Sequence, residues 1–415
     1  MRSMVTALAA LMLTASTAFA QPLPVAAPDS QGFSPQRLGR IQSAIEQEVA
    51  AGRYAGAIWL IARNGKIVDW RALGARDREV KLPMEKDTIV RIYSMSKVIA
   101  SVAAMILVEE GRLRLDDEVG TYLPAFEKMQ VWKGGTVERP ELVPAERPIS
   151  IKQLLTHTSG LIYGFGDSPL DKIYQEADPY AANSMAAFVD KAAALPLAFQ
   201  PGERYAYGFG IDVIGAVVEK VSGQPFDQFV RTRITEPLGM RDTGFDLPAD
   251  RFGRIARIYR RENGTLVPVE PFATVEAAPG RGFAAGGAGM FSTAADYARF
   301  GQMLLNGGEL DGVRLLGRKT VELMMQNHLA HLDTPTTEPG GGDGFGLGGS
   351  VRVNVANAAE PGSIGQFGWA GAATTYFRID PEERTLMLLL AQHAPFNEDA
   401  LFQRFATLVY AALVD

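Results

Sequence analysis

Ser94 and Lys97 stand three residues apart in the stretch Arg91-Ile92-Tyr93-Ser94-Met95-Ser96-Lys97-Val98-Ile99. From Ala100 to Glu110 the chain is an almost unbroken run of good helix formers closed by Gly111, which places Ser94 in the first turn of a buried helix. Residues three apart lie on one helix face, so the Ser94 hydroxyl and the Lys97 amine can come within hydrogen-bonding reach. A serine hydroxyl is a poor nucleophile until a neighbour takes its proton. A lysine takes a proton only in its neutral form, which burial and the positive end of a helix dipole both favour. One turn therefore supplies a nucleophile and its base. The tetrapeptide alone reads more readily as a plain helix start with Ser94 or Ser96 as cap, so the rest of the chain has to decide.

Two further stretches offer partners. Pro201-Gly202-Glu203-Arg204-Tyr205-Ala206-Tyr207 is a turn followed by two tyrosines; taken alone, Tyr207 is a packing residue. Gly368-Trp369-Ala370-Gly371-Ala372 enters a strand-like run with little side-chain bulk, and glycine within a strand marks close approach of something to the backbone. Rival chemistries find less support. No G-x-S-x-G elbow is present, which removes a Ser-His-Asp hydrolase of that type. Of the four histidines, His157 reads as a structural hydrogen-bonding residue and His393 as a residue that follows the last strand and could approach a cleft. His328 and His331 have no H-E-x-x-H helix with them and read as surface residues, so no metal is expected. Gly344 to Gly349 fits a G-x-G-x-x-G pattern without the strand-turn-helix that a dinucleotide needs, and reads as a loop leading into a strand.

The elements that must position these residues follow from periodicity. Ser34-Pro35 is an N-cap with proline at the first helical position, and Leu38, Ile41, Ile45 and Val49 repeat at helical spacing up to Gly52. Ala57 to Ile61 and Ile67 to Ala72 are strand-like and joined through Asn64-Gly65, the preferred core of a tight hairpin turn. From Asp116 to about Phe272, helical segments such as Met185 to Leu195 and Ile211 to Val221 alternate with loops rich in Pro, Gly and aromatics. Strands return after Gly280, including Gly368 to Ile379 and Leu386 to Gln392, and Glu398 to Leu413 is helical. The expected architecture is an α/β (α+β) lobe built from residues 21–115 and 280–415, with a mainly helical lobe, 116–279, inserted between them. A site at the lobe boundary follows, since clefts form there.

The composition narrows the classes. With 415 residues, 47% apolar and 21% charged, the chain can bury a sizeable core, and a net charge of -6 gives no reason to expect nucleic acid or an anionic membrane as partner. There is no cysteine, which excludes disulfides, a cysteine nucleophile and a thiol-linked lipid anchor. Arg2, the apolar run from Met4 to Leu13 and Ala18-Phe19-Ala20 form a signal peptide over residues 1–20, so the mature chain is expected to start at Gln21, exported to a periplasm or the medium without a membrane anchor.

Taken together, the landmarks resemble the serine β-lactamase and penicillin-binding-protein superfamily, and within it the family VIII carboxylesterases, relatives of class C β-lactamases. Those landmarks are Arg91 to Lys97, Leu154-Leu155-Thr156-His157-Thr158-Ser159-Gly160-Leu161, Pro201 to Arg204, Pro237-Leu238-Gly239-Met240 and Gly286 to Thr293, in the family's order from about residue 35 to 395. The resemblance implies a β-lactamase-like fold, an antiparallel sheet flanked by helices. It implies Ser94 as the acylated nucleophile, Lys97 as its proton acceptor, and Tyr207 as the tyrosine that shares the proton network and helps to activate water. The Gly368 to Ala372 strand would match the family's Lys-Thr-Gly or Trp-Gly-Gly strand, with the N–H groups of Ser94 and Ala372 forming the oxyanion hole, each worth about 3 to 4 kcal/mol in the transition state. No cofactor is needed.

Three departures bear on the substrate. Trp369 stands where a β-lactamase has a lysine for the ligand carboxylate, and Phe209 where it has an asparagine for the ligand amide. Desolvating a carboxylate without a partner is costly, so Trp369, Gly371 and Phe209 are expected to bind a small neutral ester, with Tyr163, Phe165 and Tyr174 as further candidates for lining the pocket. Ala370 replaces a glycine of the esterase pattern and implies ordinary strand geometry with a slightly narrower cleft. The expected activity is hydrolysis of short-chain carboxylic esters. A β-lactamase or D-amino-acid peptidase is the alternative enzyme, for which the missing Lys and Asn equivalents are the discriminating absence. A catalytically silent penicillin-recognising protein is the alternative of another class.

Overall fold

The computed structural model describes residues 22–269 and 282–415; the predicted signal peptide, 1–20, lies outside the described residues. The chain opens with α1 (Pro35–Ala50), where the Ser34 hydroxyl accepts the Arg37 N–H and caps the helix as its sequence predicts. Strands β1 (Gly56–Arg63) and β2 (Lys66–Asp77) form the expected hairpin, with Asn64 and Gly65 both at positive φ, 54° and 75°. The short β3 (Leu82–Pro83) pairs with β2. Helix α2 (Ser96–Glu109) follows, then α3 (Gly210–Ser222) and α4 (Ala294–Leu305). The C-terminal part supplies β4 (Asp343–Phe345), β5 (Ser350–Arg352), β6 (Phe367–Gly371), β7 (Thr375–Asp380), β8 (Thr385–Ala391) and α5 (Leu401–Ala412).

These strands make one eight-stranded sheet in the order β4-β5-β6-β7-β8-β1-β2-β3, antiparallel throughout, so the two ends of the chain meet at the β8–β1 pair. Both central strands are buried along their whole length because the sheet is covered on both faces, which explains why they read as continuous apolar runs. Strand alternation divides them: Ile58 and Leu60 enter a core shared with α2, α3 and α4, whereas Trp59 and Ile61 enter a second core shared with α1 and α5. Helix α2 is apolar on every side and buried over Ser96–Leu107, as a helix walled in by sheet and helices must be.

The structure refines three expectations. The run Gly368 to Ile379 is two strands, β6 and β7, folded into a hairpin through Ala372-Ala373-Thr374, with Thr374 at φ 58°. The Gly340–Gly349 stretch leads through β4 into a hairpin with β5 and has no helix after it. Between α2 and α4 the chain is not only helical: Gln130–Gly135 pairs with Pro140–Pro144, and Tyr259–Glu262 pairs with Thr265–Pro268 across an Asn263-Gly264 turn.

Candidate active site

Ser94 lies in a single 3₁₀ turn, Tyr93–Met95, immediately before α2, so the nucleophile stands on the doorstep of the helix and not inside it. Tyr93 is held at φ 42°, a conformation unfavourable for a bulky residue, of the kind that clusters at functional turns. The turn is pinned from three sides. Ile92 N–H donates to Met290 O at 3.1 Å, Met95 N–H to Ile92 O at 3.0 Å, and the Tyr297 hydroxyl of α4 to Met95 O at 2.9 Å. From β6, Gly371 presses on the same turn: a Cβ there would stand 2.2 Å from Ile92 O, so only glycine fits. The sequence expectation of close backbone approach is thus met by a specific contact.

Lys97, one turn later, is fully buried. Its Nζ lies 3.1 Å from Ser94 Oγ, 2.9 Å from the Tyr163 hydroxyl and 2.7 Å from Gly287 O. A carbonyl can only accept, so one Lys97 N–H is always committed to Gly287. In the neutral amine the lone pair is then left to meet Ser94 or Tyr163, the two neighbours that can donate. The Tyr207 hydroxyl donates to Ser94 Oγ at 2.7 Å from the other side, and the Trp369 Nε1–H donates to that same tyrosine oxygen at 3.2 Å. Tyr207 is set by the loop that runs into α3, and its ring rests edge-on against His157, with 4.8 Å between centroids. His157 is buried, accepts the Gly208 N–H on Nδ1 at 3.4 Å, and is pushed well below its ordinary pKa, first by burial and then by the Lys97 charge. It is a neutral positioning group, as expected.

The structure therefore brings Ser94, Lys97 and Tyr207 together, and adds three residues that sequence reasoning does not reach. Tyr163, expected only to line the pocket, touches Lys97, and burial followed by the neighbouring Tyr207 pushes its hydroxyl well above its usual pKa, keeping it protonated. Asp212 is a buried carboxylate on the otherwise apolar first turns of α3. It accepts the Gly287 N–H at 2.9 Å and the Tyr180 hydroxyl at 2.7 Å, and burial raises its pKa against the opposing pull of Lys97. Gly287 links the two, carbonyl to Lys97 and N–H to Asp212. A Cβ on Gly287 would lie 2.2 Å from Asp212 Oδ2.

The remaining candidates divide. Ala372 is the first residue of the β6–β7 turn and borders the same cavity as Ser94. Trp369 lines that cavity too. Gly371 does not line it, since it is turned onto Ile92, while its neighbours Ala370 and Ala372 do. Phe209 is only 1% exposed and packs against Tyr163, Tyr174 and Phe188, and it too borders the cavity. Phe165 lies at the mouth, 81% exposed and stacked on Tyr163 with 4.9 Å between centroids. Ala370 has ordinary strand geometry, as expected. His328 proves buried, not superficial, with Nε2 2.9 Å from Leu323 O. His393 pairs with Glu398 at 2.7 Å and does not line the cavity. Among the described residues no cluster of His, Asp and Glu could hold a metal ion.

The cavity is about 1130 Å³, just above the usual range for small-molecule sites, and aromatic side chains make up about half of its lining. Its one cationic side chain among the described residues, Arg378, is paired with Asp343 at 3.1 Å, whereas Asp178, Glu338 and Glu360 also border the space. The arrangement can activate a serine hydroxyl over an apolar floor and, among the described residues, offers no free cation to an anionic ligand.

The family model for Beta-lactamase matches residues 41–412. Protein Rv1367c of Mycobacterium tuberculosis is 36% identical over 362 residues, 85% of this chain and 90% of that protein. Esterase EstB of Burkholderia gladioli is 32% identical over 376 residues, 86% of this chain and 90% of that one. The solved structure of EstCE1, a hydrolase with promiscuous acyltransferase activity, superposes with a TM-score of 0.78 at 28% identity, over 90% of this chain and 98% of that chain. With the family model matching across most of its length and relatives of this identity and coverage, this chain belongs to the Beta-lactamase family and is a serine hydrolase.

Proposed function

We propose that this protein is an exported carboxylesterase, of the family VIII kind, that cleaves uncharged esters through an acyl-enzyme on Ser94. One observation carries the choice of substrate. At the strand position where a carboxylate-binding lysine would be needed stands Trp369, whose indole donates to Tyr207 at 3.2 Å, and Arg378, the one arginine that borders the cavity among the described residues, is already paired with Asp343. An anionic β-lactam would be desolvated there beside three carboxylates, without a partner. In the reaction, Ser94 Oγ attacks the ester carbonyl as its proton passes to Lys97 or through Tyr207. The alcohol leaves with a proton from the same pair, and water reverses the steps to release the acid. The N–H groups of Ser94 and Ala372 serve the developing oxyanion. Export is proposed on Arg2, the apolar run from Met4 to Leu13 and Ala18-Phe19-Ala20, which together fit a cleavable signal peptide.

Turnover of p-nitrophenyl butyrate against a chromogenic cephalosporin tests this reading, with Ser94→Ala as control. Strong Ser94-dependent ester cleavage with little cephalosporin hydrolysis is expected. The reverse ratio would sink the ester assignment and return the chain to the β-lactamases. A second reading, acyl transfer to an alcohol, is favoured by the aromatic cavity, in which an apolar alcohol can compete with water for the acyl-enzyme, and by the promiscuous acyltransferase activity of the similar EstCE1.

A further inference from the structure

We propose that the cavity continues into a second chamber behind β6, where the Tyr376 hydroxyl, backed by Arg378, binds a neutral oxygen on one arm of the ester. The proposal rests on the ester reading above and adds where the rest of the substrate goes. Side chains of β6 alternate: Trp369 faces the α2 side of the sheet with Ser94, and Ala370 faces the α1/α5 side, paired with Tyr376 of β7. Strand β5 pairs with β6 only at Phe367 and Gly368, so among the described residues β6 from Trp369 onward has a free edge on that side. The cavity passes round this edge, which is why Ser94 and Trp369 on one face and Ala370 and Tyr376 on the other border one space.

The back chamber has an aromatic wall and an unspent donor. Tyr376 stacks on Phe402 with 4.9 Å between centroids. Tyr376 is 3% exposed; the Arg378 side chain meets its hydroxyl oxygen as a donor, and among the described residues the hydroxyl's own proton has no acceptor. The terminal nitrogens of Arg378 are committed, Nη1 to Gly368 O at 3.2 Å and to the Ser350 hydroxyl, Nη2 to Asp343 at 3.1 Å. Two guanidinium groups, Arg378 and Arg352, face two carboxylates, Asp343 and Glu360, so the charges in this corner balance. Buried donors without acceptors are costly and ask for a partner. A ketone, lactone or ester oxygen supplies an acceptor without upsetting the charge balance, whereas a carboxylate would add an unpaired negative charge beside Glu360. The methyl group of Ala370, where this chain departs from the Trp-Gly-Gly pattern, projects into this chamber and not into the one in front of Ser94.

Ser94→Ala protein, which keeps the cavity but cannot be acylated, is titrated calorimetrically with p-nitrophenyl keto-alkanoates and keto-alkyl butyrates of increasing arm length. Each is compared with the hydrocarbon ester of equal length. In one of the two series, at one arm length, the ketone is expected to tighten binding about five- to tenfold, the contribution of one good hydrogen bond. Adding Tyr376→Phe should abolish that gain with hydrocarbon affinity unchanged within about twofold, and adding Ala370→Leu should weaken long-arm esters of both kinds. No ketone gain at any length, or a gain that survives Tyr376→Phe, would overturn the chamber. A carboxylate arm that binds more tightly than the ketone would overturn the neutral-oxygen assignment. Because binding is read without turnover, absent ester hydrolysis in the Ser94 protein refutes the esterase reading and leaves the chamber to be judged on its own data.

Discussion

Replacing Tyr163 by phenylalanine removes one oxygen and leaves the ring. In the structure that oxygen is one of three acceptors around Lys97, with Nζ at 2.9 Å from it, 3.1 Å from Ser94 Oγ and 2.7 Å from Gly287 O. When Lys97 takes the Ser94 proton it becomes an ammonium with three N–H donors, and these three oxygens match it one for one. Without the hydroxyl, one donor of a fully buried cation has no acceptor at the moment the charge forms. A hydrogen bond to a charged group contributes about 1.5–3 kcal/mol, and each 1.4 kcal/mol is about a factor of ten in rate, so kcat should fall about ten- to a hundredfold with KM little changed. The fold should not suffer, because the stack on Phe165 at 4.9 Å and the contact with the Tyr207 ring at 5.2 Å remain. The hydroxyl is held protonated well above its usual range, so the loss should be uniform over the neutral pH range and not track a titration. Initial rates on p-nitrophenyl butyrate across pH, beside a melting curve, measure this. A loss under about twofold, or a loss that follows the melting temperature, would refute the claim that Tyr163 supports the charged form of Lys97.

Gly371→Ala should lower stability by about 1–3 kcal/mol, since the new methyl would collide with Ile92 O, and it should cut kcat on the same ester by displacing the Ser94 turn from Ala372; a variant that melts and turns over like the parent contradicts the contact. Asp296, buried at the start of α4, is pushed up from 3.8 to about 6, chiefly by burial. The folded state holds that proton more tightly than the unfolded one, so the contribution to stability is full below about pH 4 and is lost as pH rises through about 6, a difference on the order of 3 kcal/mol. Asp296→Asn should therefore gain stability relative to the parent between about pH 4 and pH 7 in denaturant melts, and a difference that stays constant with pH would count against it.

What can be read from the sequence is what is local. The Ser-x-x-Lys spacing, the Ser34-Pro35 cap and the Asn64-Gly65 turn each encode their geometry within a few residues, and each is found as expected. The Asn263-Gly264 turn carries the same signal but is masked by the Pro- and Gly-rich loops around it. The β6–β7 turn carries none: Ala372-Ala373-Thr374 has no glycine, and Thr374 adopts positive φ because the β-hairpin on either side requires it. Tyr163 is 66 residues from Lys97, and its facing depends on the loop being bent at Gly160 and Gly164, both at positive φ, so no periodicity reveals it. Asp212 does leave a trace, a lone acid among Ile211, Val213 and Ile214 at the start of an apolar helix; buried acids of this kind need a reason, here Gly287 and Tyr180.

The central claim is that an ester acylates Ser94. Mixing the mature protein with p-nitrophenyl butyrate, quenching in acid within milliseconds and measuring intact mass and the peptide spanning Tyr93 to Lys97 tests it directly. A mass increase equal to one butyryl group on Ser94, absent from Ser94→Ala and slow to clear in Tyr207→Phe, is the predicted result. Rapid ester turnover with an unmodified Ser94, or the same adduct in Ser94→Ala, would contradict it.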